Sequence, residues 1–106
     1  MKAFIAISED NGTESKIDTR FGRGNYFMVY DMENDSIINV EENRFKNEGH
    51  GVGIKTAGIA VEKGCTLVIG AQPGPKAEQV FKEGSVEIFV ITDGTVNDAV
   101  RKYKEK

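Results

Sequence analysis

The pattern of apolar and polar residues in the first part of the chain predicts strands. Residues 2–8 alternate apolar with small side chains, as in a buried strand. Residues 26–31 and 36–41 are rich in aromatic and β-branched side chains and flank the turn-forming segment 33–35, which predicts an antiparallel hairpin. The polar segment 9–24 is predicted to be a long loop. Three strands are therefore expected in this part of the chain.

A helical repeat follows the glycine-rich segment 47–53. Apolar and small residues then recur at the spacing of one helical face and predict a helix from about Val52 to Lys63, with Gly64 as its stop. The continuous apolar run 66–69 is typical of a parallel strand that is covered on both faces. The predicted inward face of the helix consists of Ile54, Ala57, Gly58 and Val61.

Two further helices and one further strand are predicted in the last third of the chain. Pro75 suits the first position of a helix, because its missing N–H would have no partner there, and Gly84 ends that helix. Residues 86–91 predict the last strand, and Thr95 with Asp98 predicts a capping box before the third helix. The predicted order is β-β-β-α-β-α-β-α, an α/β fold. The residues expected to face the core are Ala77, Val80, Phe81, Val96, Ala99, Val100 and Tyr103.

The composition limits the class of protein. A chain of 106 residues and 11.7 kDa predicts a single domain over residues 1–106. It has no apolar run long enough to span a membrane, and its N-terminal apolar segment is too short for a signal peptide, so we expect a cytoplasmic protein. The net charge of -3 argues against sequence-independent binding of nucleic acid.

The direction of each predicted element places the polar and glycine-rich loops at one edge of the sheet. Open α/β sheets usually bind their ligands at this edge, where the parallel strands end. Two predicted helices also begin there, near Val52 and Pro75, and their free N–H groups attract anions. Following the chain through its reversals brings four loops to this rim: residues 9–24, 43–53, 70–74 and 92–94. We expect the rim to bind a compact anion, with positive charge from Arg20, Arg23, His50 and Lys55.

His50 is the only histidine and lies within the segment Gly49-His50-Gly51-Val52-Gly53. The flanking glycines allow a ligand to approach the backbone closely, but they equally suit a tight turn into a helix without any ligand. Their spacing fits neither the dinucleotide-binding fingerprint nor a P-loop. From the residues alone, His50 is either a ligand-binding residue or a polar loop residue.

The segment from Arg20 to Gly24 leaves a similar choice. Its two arginines can present guanidinium groups to an anion. It can equally be a solvated loop in which Phe21 packs into the core.

Cys65, the only cysteine, is predicted to lie away from His50. About twelve helical residues at roughly 1.5 Å each separate it from the rim, so the two side chains cannot share a zinc ion within one chain. We expect Cys65 to pack as a small buried hydrophobe. The acidic residues in the loops form no recognisable pair of general acid and general base, so the sequence predicts a protein that is not an enzyme.

The order of these motifs resembles the dinitrogenase iron-molybdenum cofactor biosynthesis family. The resemblance covers nearly the whole chain. It rests on the first strand and polar loop followed by Arg20-Phe21-Gly22-Arg23, on Gly49-His50-Gly51-Val52-Gly53 at the start of a helix, and on Gly70 with Gly74-Pro75-Lys76-Ala77 at the start of the next. The loop histidine of the family corresponds to His50, and Arg20 stands where the family often has a histidine.

The resemblance implies a three-layer ribonuclease-H-like α/β fold, in which a mixed five-stranded sheet has helices on both faces. It also implies a non-catalytic carrier or scaffold for an anionic iron-sulfur or iron-molybdenum type cluster, with His50 as the metal ligand. The partners it implies are the cluster with its donor and acceptor proteins, for a chain that is a monomer or a cluster-bridged dimer. The implied cofactor-binding residues are Arg20, Phe21, Gly22, Arg23, Gly49, His50, Gly51, Gly53, Gly74 and Pro75.

A second function class remains open at the same rim. The loops and helix starts would also suit a domain that binds a phosphate-like or carboxylate anion, or a protein partner, without any metal. Uptake of a cluster distinguishes the first class, and stabilisation of metal-free protein by simple anions distinguishes the second.

Overall fold

The computed structural model describes all residues from Met1 to Lys106 and contains five strands and three helices. The strands are β1 (Lys2–Ile7), β2 (Tyr26–Asp31), β3 (Ser36–Glu42), β4 (Leu67–Gly70) and β5 (Glu87–Val90). The helices are α1 (Val52–Glu62), α2 (Pro75–Glu83) and α3 (Val96–Glu105). None of the helices has the length and apolar character that crossing a membrane requires.

The five strands form one mixed sheet in the order β3-β2-β1-β4-β5. β2 pairs antiparallel with both β1 and β3, whereas β4 pairs parallel with both β1 and β5. β1 is the central strand, which explains why all its residues from Ala3 to Ile7 are buried. Because β1, β4 and β5 run in the same direction, the loops that follow them emerge at one edge of the sheet.

Helices cover both faces of this sheet, as predicted. Alternate residues of β1 point to opposite faces, so Ile5 packs with Val96 and Ala99 of α3, while Phe4 packs with Ala57 of α1 and Phe81 of α2. The protein therefore has three layers, with α1 and α2 on one face and α3 on the other. The predicted α/β fold with a mixed five-stranded sheet is confirmed.

The starts of α2 and α3 lie where the sequence predicted them. Pro75 is the first residue of α2. Thr95 and Asp98 form the predicted capping box before α3: the Asp98 backbone N–H donates to Thr95 Oγ1 at 3.3 Å, and the Thr95 N–H donates to Asp98 Oδ2 at 3.0 Å. Pro75 removes one of the N–H groups that a first helical turn leaves without a backbone partner, and the capping box provides partners at the start of α3.

The predicted inward face of α1 is wrong in part. Ala57 is fully buried, but Ile54 and Val61 are 41% and 37% exposed, and Gly58 is exposed as well. The helix is rotated about its axis so that smaller side chains meet the sheet and α2, which lets the helix pack closely. The residues it buries are Val52, Thr56, Ala57 and Ala60. This rotation leaves Ile54 at the surface beside the predicted site.

Candidate functional site

A groove lies between the N-terminal ends of α1 and α2, on the face of the sheet that carries both helices. We call it the α1–α2 groove. Its volume is about 410 Å³. Three segments that are distant in sequence form it: the loop before β2, the glycine-rich loop before α1, and the turn into α2. The residues that line it are Phe21, Gly51, Gly53, Ile54, Gly74, Pro75, Lys76 and Ala77.

Both helices start at this groove without a side-chain cap. Gly51 precedes α1 with a left-handed backbone (φ 72°), and Gly74 precedes α2 with an extended one. Neither glycine has a side-chain oxygen that could accept from the first-turn N–H groups, and the first turn of α1 contains no acidic residue. The first turn of α2 contains Glu78, whose carboxylate is paired with Gln72 and Lys82. The two helix starts therefore direct uncapped N–H groups and positive dipole ends toward one place.

The walls of the groove are mostly apolar. Phe21 packs edge-on against Phe81 of α2, with ring centroids 5.7 Å apart. A Cβ atom on Gly53 would lie 3.6 Å from Ala77 Cβ and 3.8 Å from the Phe21 ring, so a larger side chain at position 53 would fill the space between these walls. Burying a small, strongly hydrated ion in apolar surroundings is costly. The groove is therefore better suited to a bulky anion of low charge density.

His50 is exposed and directly precedes Gly51, which lines the groove, but His50 is not itself one of the lining residues. No group of three or more His, Cys, Asp or Glu side chains in the structure could hold a metal ion. An imidazole nitrogen at this position can supply one ligand to a metal, and the other ligands would have to come from the bound species itself.

The two predicted arginines already have partners within the protein. The Arg23 guanidinium donates to the carbonyl oxygens of Lys46, Glu48 and Gly49, at 3.0, 2.9 and 3.3 Å. Arg20 donates through Nε and Nη2 to the carboxylate of Asp18, at 3.1 and 3.3 Å. Its predicted contact with a ligand, like that of Arg23, stays a prediction.

The ion pair between Arg20 and Asp18 joins an exposed guanidinium to a buried carboxylate. Asp18 is 3% exposed, whereas the Arg20 side chain is 55% exposed. The hydrogen bonds to Asp18, followed by the charge of that carboxylate, raise the pKa of Arg20 above its ordinary value. Arg20 therefore compensates a carboxylate that would otherwise be buried without a counter-charge.

The lysine at the groove is Lys76, and not Lys55 as the sequence predicted. Lys55 forms an ion pair with Glu48 and lies 5.1 Å from the centroid of the Phe45 ring, so its charge is directed to the loop before α1. Lys76 is the lysine that lines the groove. From the sequence, Lys76 is expected only at the start of a helix and Ile54 is expected in the core. Their roles in lining the groove depend on the orientation of the helices, which no local pattern reveals.

Asn43 joins two of the loops at the rim and was not identified from the sequence. Its side chain is 1% exposed and donates to the carbonyl oxygens of Gly22 and Gly24, at 2.9 and 2.8 Å. Its amide oxygen accepts from the Phe45 N–H at 2.9 Å. An asparagine just after a strand is a weak turn signal in a sequence, so only the fold reveals this bridge.

The loop of Arg20 to Gly24 also touches α1 directly. Gly22 has a left-handed backbone (φ 82°), and a Cβ atom on it would come within 3.2 Å of both the N and Cα atoms of Gly53. Gly22 thus permits a contact between two backbones that any other residue would obstruct.

The loop over residues 92–94 meets the first polar loop but does not line the groove. The Ile17 N–H donates to the Gly94 carbonyl at 3.0 Å, and neither residue lines the α1–α2 groove.

Cys65 is 3% exposed in the core beside Ala60, as predicted, and burial raises the pKa of its thiol. Its neighbour Thr66 donates to Lys2 at the amino end of β1, the opposite end of the sheet from the groove.

Comparison with known proteins agrees with this architecture. The family profile described as Dinitrogenase iron-molybdenum cofactor matches residues 1–106. An uncharacterized protein of Methanocaldococcus jannaschii is 31% identical over 103 residues, which cover 95% of this chain and 85% of that protein.

Solved structures show the same fold. The apo form of the orange protein from Desulfovibrio gigas has a TM-score of 0.89 at 24% identity, over 98% of this chain and 87% of that one. A protein of the DUF35 family from Thermotoga, determined by NMR, has a TM-score of 0.81 at 29% identity, with the same two coverages of 98% and 87%. From the match over its whole length, the chain belongs to the dinitrogenase iron-molybdenum cofactor family.

Proposed function

We propose that the protein binds and carries an anionic metal-sulfur cluster, of the iron-sulfur or iron-molybdenum type, in the α1–α2 groove. The observation that carries this proposal is the pair of uncapped helix starts, behind Gly51 and Gly74, that open onto one apolar groove beside His50. Family membership supplies the kind of cargo, since the family is described by the iron-molybdenum cofactor.

The residues of the groove suit a preassembled cluster better than a single metal ion. A single ion needs several protein ligands, and the structure contains no group of three or more His, Cys, Asp or Glu side chains that could hold one. A cluster brings its own sulfur ligands and presents a large, polarizable surface. The apolar walls at Phe21 and Ile54 can pack against that surface, while the helix N–H groups and Lys76 offset its negative charge.

In this proposal each part of the groove has one task. An imidazole nitrogen of His50 coordinates one metal of the cluster. The N-terminal turns of α1 and α2 donate N–H groups to its sulfur atoms. A cargo held through a single protein ligand is exchangeable, which suits a carrier that receives a cluster from a donor protein and passes it to an acceptor.

Several finer points belong to the same proposal. We place the three-layer fold in the ribonuclease-H-like class and expect the protein to work in the cytoplasm without catalysing a reaction. The cluster also offers a route to a dimer, because two chains could each supply His50 to one cluster.

The proposal is tested by anaerobic titration of chelator-treated protein with isolated iron-molybdenum cofactor and with a synthetic iron-sulfur cluster. His50→Ala removes the metal ligand, and Ile54→Glu places a carboxylate on the groove wall. Each is expected to weaken binding at least about tenfold, because the first variant loses a metal ligand and the second places a negative charge beside an anion. Ile38→Glu is the matched control, because Ile38 is 50% exposed on β3, which does not line the groove.

Equal visible absorption and equal affinity in wild type and His50→Ala would remove His50 as a ligand. If Ile54→Glu and Ile38→Glu weakened cluster binding equally, the effect of the added charge would not depend on its position in the groove. Failure of the wild type to bind either cluster would reject the carrier function itself.

A metal-free function is the alternative, and the lack of a grouped ligand set in the structure favours it over any single-ion site. In this case the helix starts bind a phosphate-like or carboxylate anion, or a protein partner. Stabilisation of chelator-treated protein by inorganic phosphate, rising with concentration as RT ln(1 + [L]/Kd), supports this alternative. An unfolding temperature that phosphate leaves unchanged, together with uptake of a cluster, supports the carrier.

A further inference from the structure

Three carbonyl oxygens before His50 converge on one side chain. The Arg23 Nη1 atom donates to the carbonyls of Lys46 and Glu48, and Nη2 donates to that of Gly49. We call residues 46–51 the His50 loop. A guanidinium has five N–H donors, so three of them are committed to this loop. The charge of Arg23 therefore compensates carbonyl dipoles within the protein.

The His50 loop is also fixed on either side of these contacts. On its N-terminal side, Asn43 donates to the carbonyls of Gly22 and Gly24, which flank Arg23. On its C-terminal side, the backbone of Gly22 is packed against that of Gly53 in the first turn of α1. The short segment from Gly22 to Gly24 thus braces the chain before, within and after the loop that carries His50.

The side chain of His50, by contrast, is exposed. A loop whose backbone is held while its side chain stays accessible is preorganised to bind, since the entropy of ordering the loop is lost on folding and not on binding. Glycines at positions 49 and 51 would otherwise give this backbone a large conformational freedom.

We propose that Arg23 is a positioning residue that fixes the His50 loop through these three carbonyls, and that it acts on cargo affinity through His50 and not by direct contact with the cargo. This inference rests on the carrier function proposed above. It replaces the expectation from the sequence that Arg23 neutralises the charge of the ligand.

The first test needs no cargo. Backbone ¹⁵N relaxation of the Gly49 and His50 amides is compared between wild type, Arg23→Gln and the control Arg101→Gln. Arg101 is an exposed arginine of α3, so the control makes the same charge change on the other face of the sheet. The order parameters are expected near the rigid value of about 0.85 in wild type and control, and below about 0.6 in Arg23→Gln.

The second test is a double-mutant cycle with isolated iron-molybdenum cofactor as the probe. Arg23→Gln is expected to weaken binding by about 10- to 100-fold, as is usual when a group that orients a metal ligand is lost. In the His50→Ala background the same change is expected to have no further effect, because its route to the cargo is gone.

Arg23→Lys separates position from charge. Lysine keeps the positive charge but cannot form the planar fork that reaches three carbonyls, so the weakened affinity should persist. Unfolding curves of every variant confirm that the comparison is made between folded proteins.

The outcomes are distinct. Full affinity in Arg23→Lys, or an equal loss from Arg23→Gln with and without His50, would overturn the inference and return Arg23 to direct contact with the cargo. Unchanged order parameters in Arg23→Gln would overturn it as well, whether or not any cluster binds. Failure of the wild type to bind the probe would reject the carrier function, while the relaxation experiment would still decide whether Arg23 orders the loop.

Discussion

Replacing Gly22 with alanine tests whether the loop before β2 is packed against the first turn of α1, backbone to backbone. Gly22 has φ 82°, in the left-handed region, and a Cβ atom added to it would lie 3.2 Å from both N and Cα of Gly53. Gly12 provides the matched control. It is also left-handed, with φ 59°, but a Cβ atom there would meet nothing within 4 Å.

The two substitutions share one cost and differ in another. A left-handed backbone costs an alanine roughly 1–2 kcal/mol at either position. The gain from restricting the unfolded chain is also common to both, so it cancels in the comparison. Gly22→Ala additionally forces two backbones apart, and overpacking of this kind costs about 1–3 kcal/mol. Gly22→Ala should therefore be about 1–3 kcal/mol less stable than Gly12→Ala.

Urea unfolding followed by circular dichroism measures this difference. With the m-values of about 1–3 kcal/mol/M that are typical of small proteins, a gap of about 2 kcal/mol lowers the midpoint by roughly 1 M. Identical midpoints for the two variants would refute the packing of Gly22 against Gly53. A displaced first turn in Gly22→Ala should also appear as shifted amide resonances in α1, which Gly12→Ala leaves in place.

Three further predictions concern polar and titratable groups. Asn43→Ala removes two donated hydrogen bonds and one accepted hydrogen bond, so it should lower the free energy of unfolding in urea by about 2–4 kcal/mol. Asn39 is exposed, and Asn39→Ala should change this free energy by no more than about 0.5 kcal/mol. The pKa of Asp98 is lowered, mainly because its carboxylate accepts a hydrogen bond from the backbone N–H of Thr95. The ionised carboxylate therefore stabilises the fold at pH values above its ordinary pKa of about 3.9, and this stabilisation is lost as the pH falls through the lower folded-state pKa. Asp98→Asn should accordingly flatten the acid-side fall in unfolding free energy, and an unchanged pH profile would contradict this assignment. Burial raises the pKa of the Cys65 thiol, so iodoacetamide at neutral pH should label the native protein far more slowly than the urea-unfolded chain; equal rates would mean that Cys65 is accessible.

The parts of the fold that were predictable from the sequence depend on interactions close along the chain. The bounds of β2, Tyr26–Asp31, follow from a local run of aromatic and β-branched residues, and the starts of α2 and α3 follow from Pro75 and from Thr95 with Asp98. Each of these signals acts within a few residues of its effect, so no knowledge of the tertiary structure is needed to read it.

The parts that were not predictable depend on contacts between distant segments. The acceptors of Arg23 lie 23 to 26 residues further along the chain, and nothing in the sequence pairs a guanidinium with particular carbonyls. The rotation of α1 depends on the close approach of Ala57 and Ala60 to the sheet. The hydrophobic period of the sequence does not show whether these small residues or Ile54 will be buried. The sequence therefore indicated three of the loops that line the α1–α2 groove, but neither the exclusion of the loop over residues 92–94 nor the side chains that form the walls.

The α1–α2 groove has one consequence for the synthesis of the protein. Its walls come from Phe21, from Gly51 to Ile54 and from Gly74 to Ala77, so no contiguous peptide shorter than this span contains the whole site. His50 precedes α2 in the chain, so one wall of the groove is missing until α2 has been synthesised. In the function proposed above, binding of a cluster therefore requires a chain folded at least through Ala77.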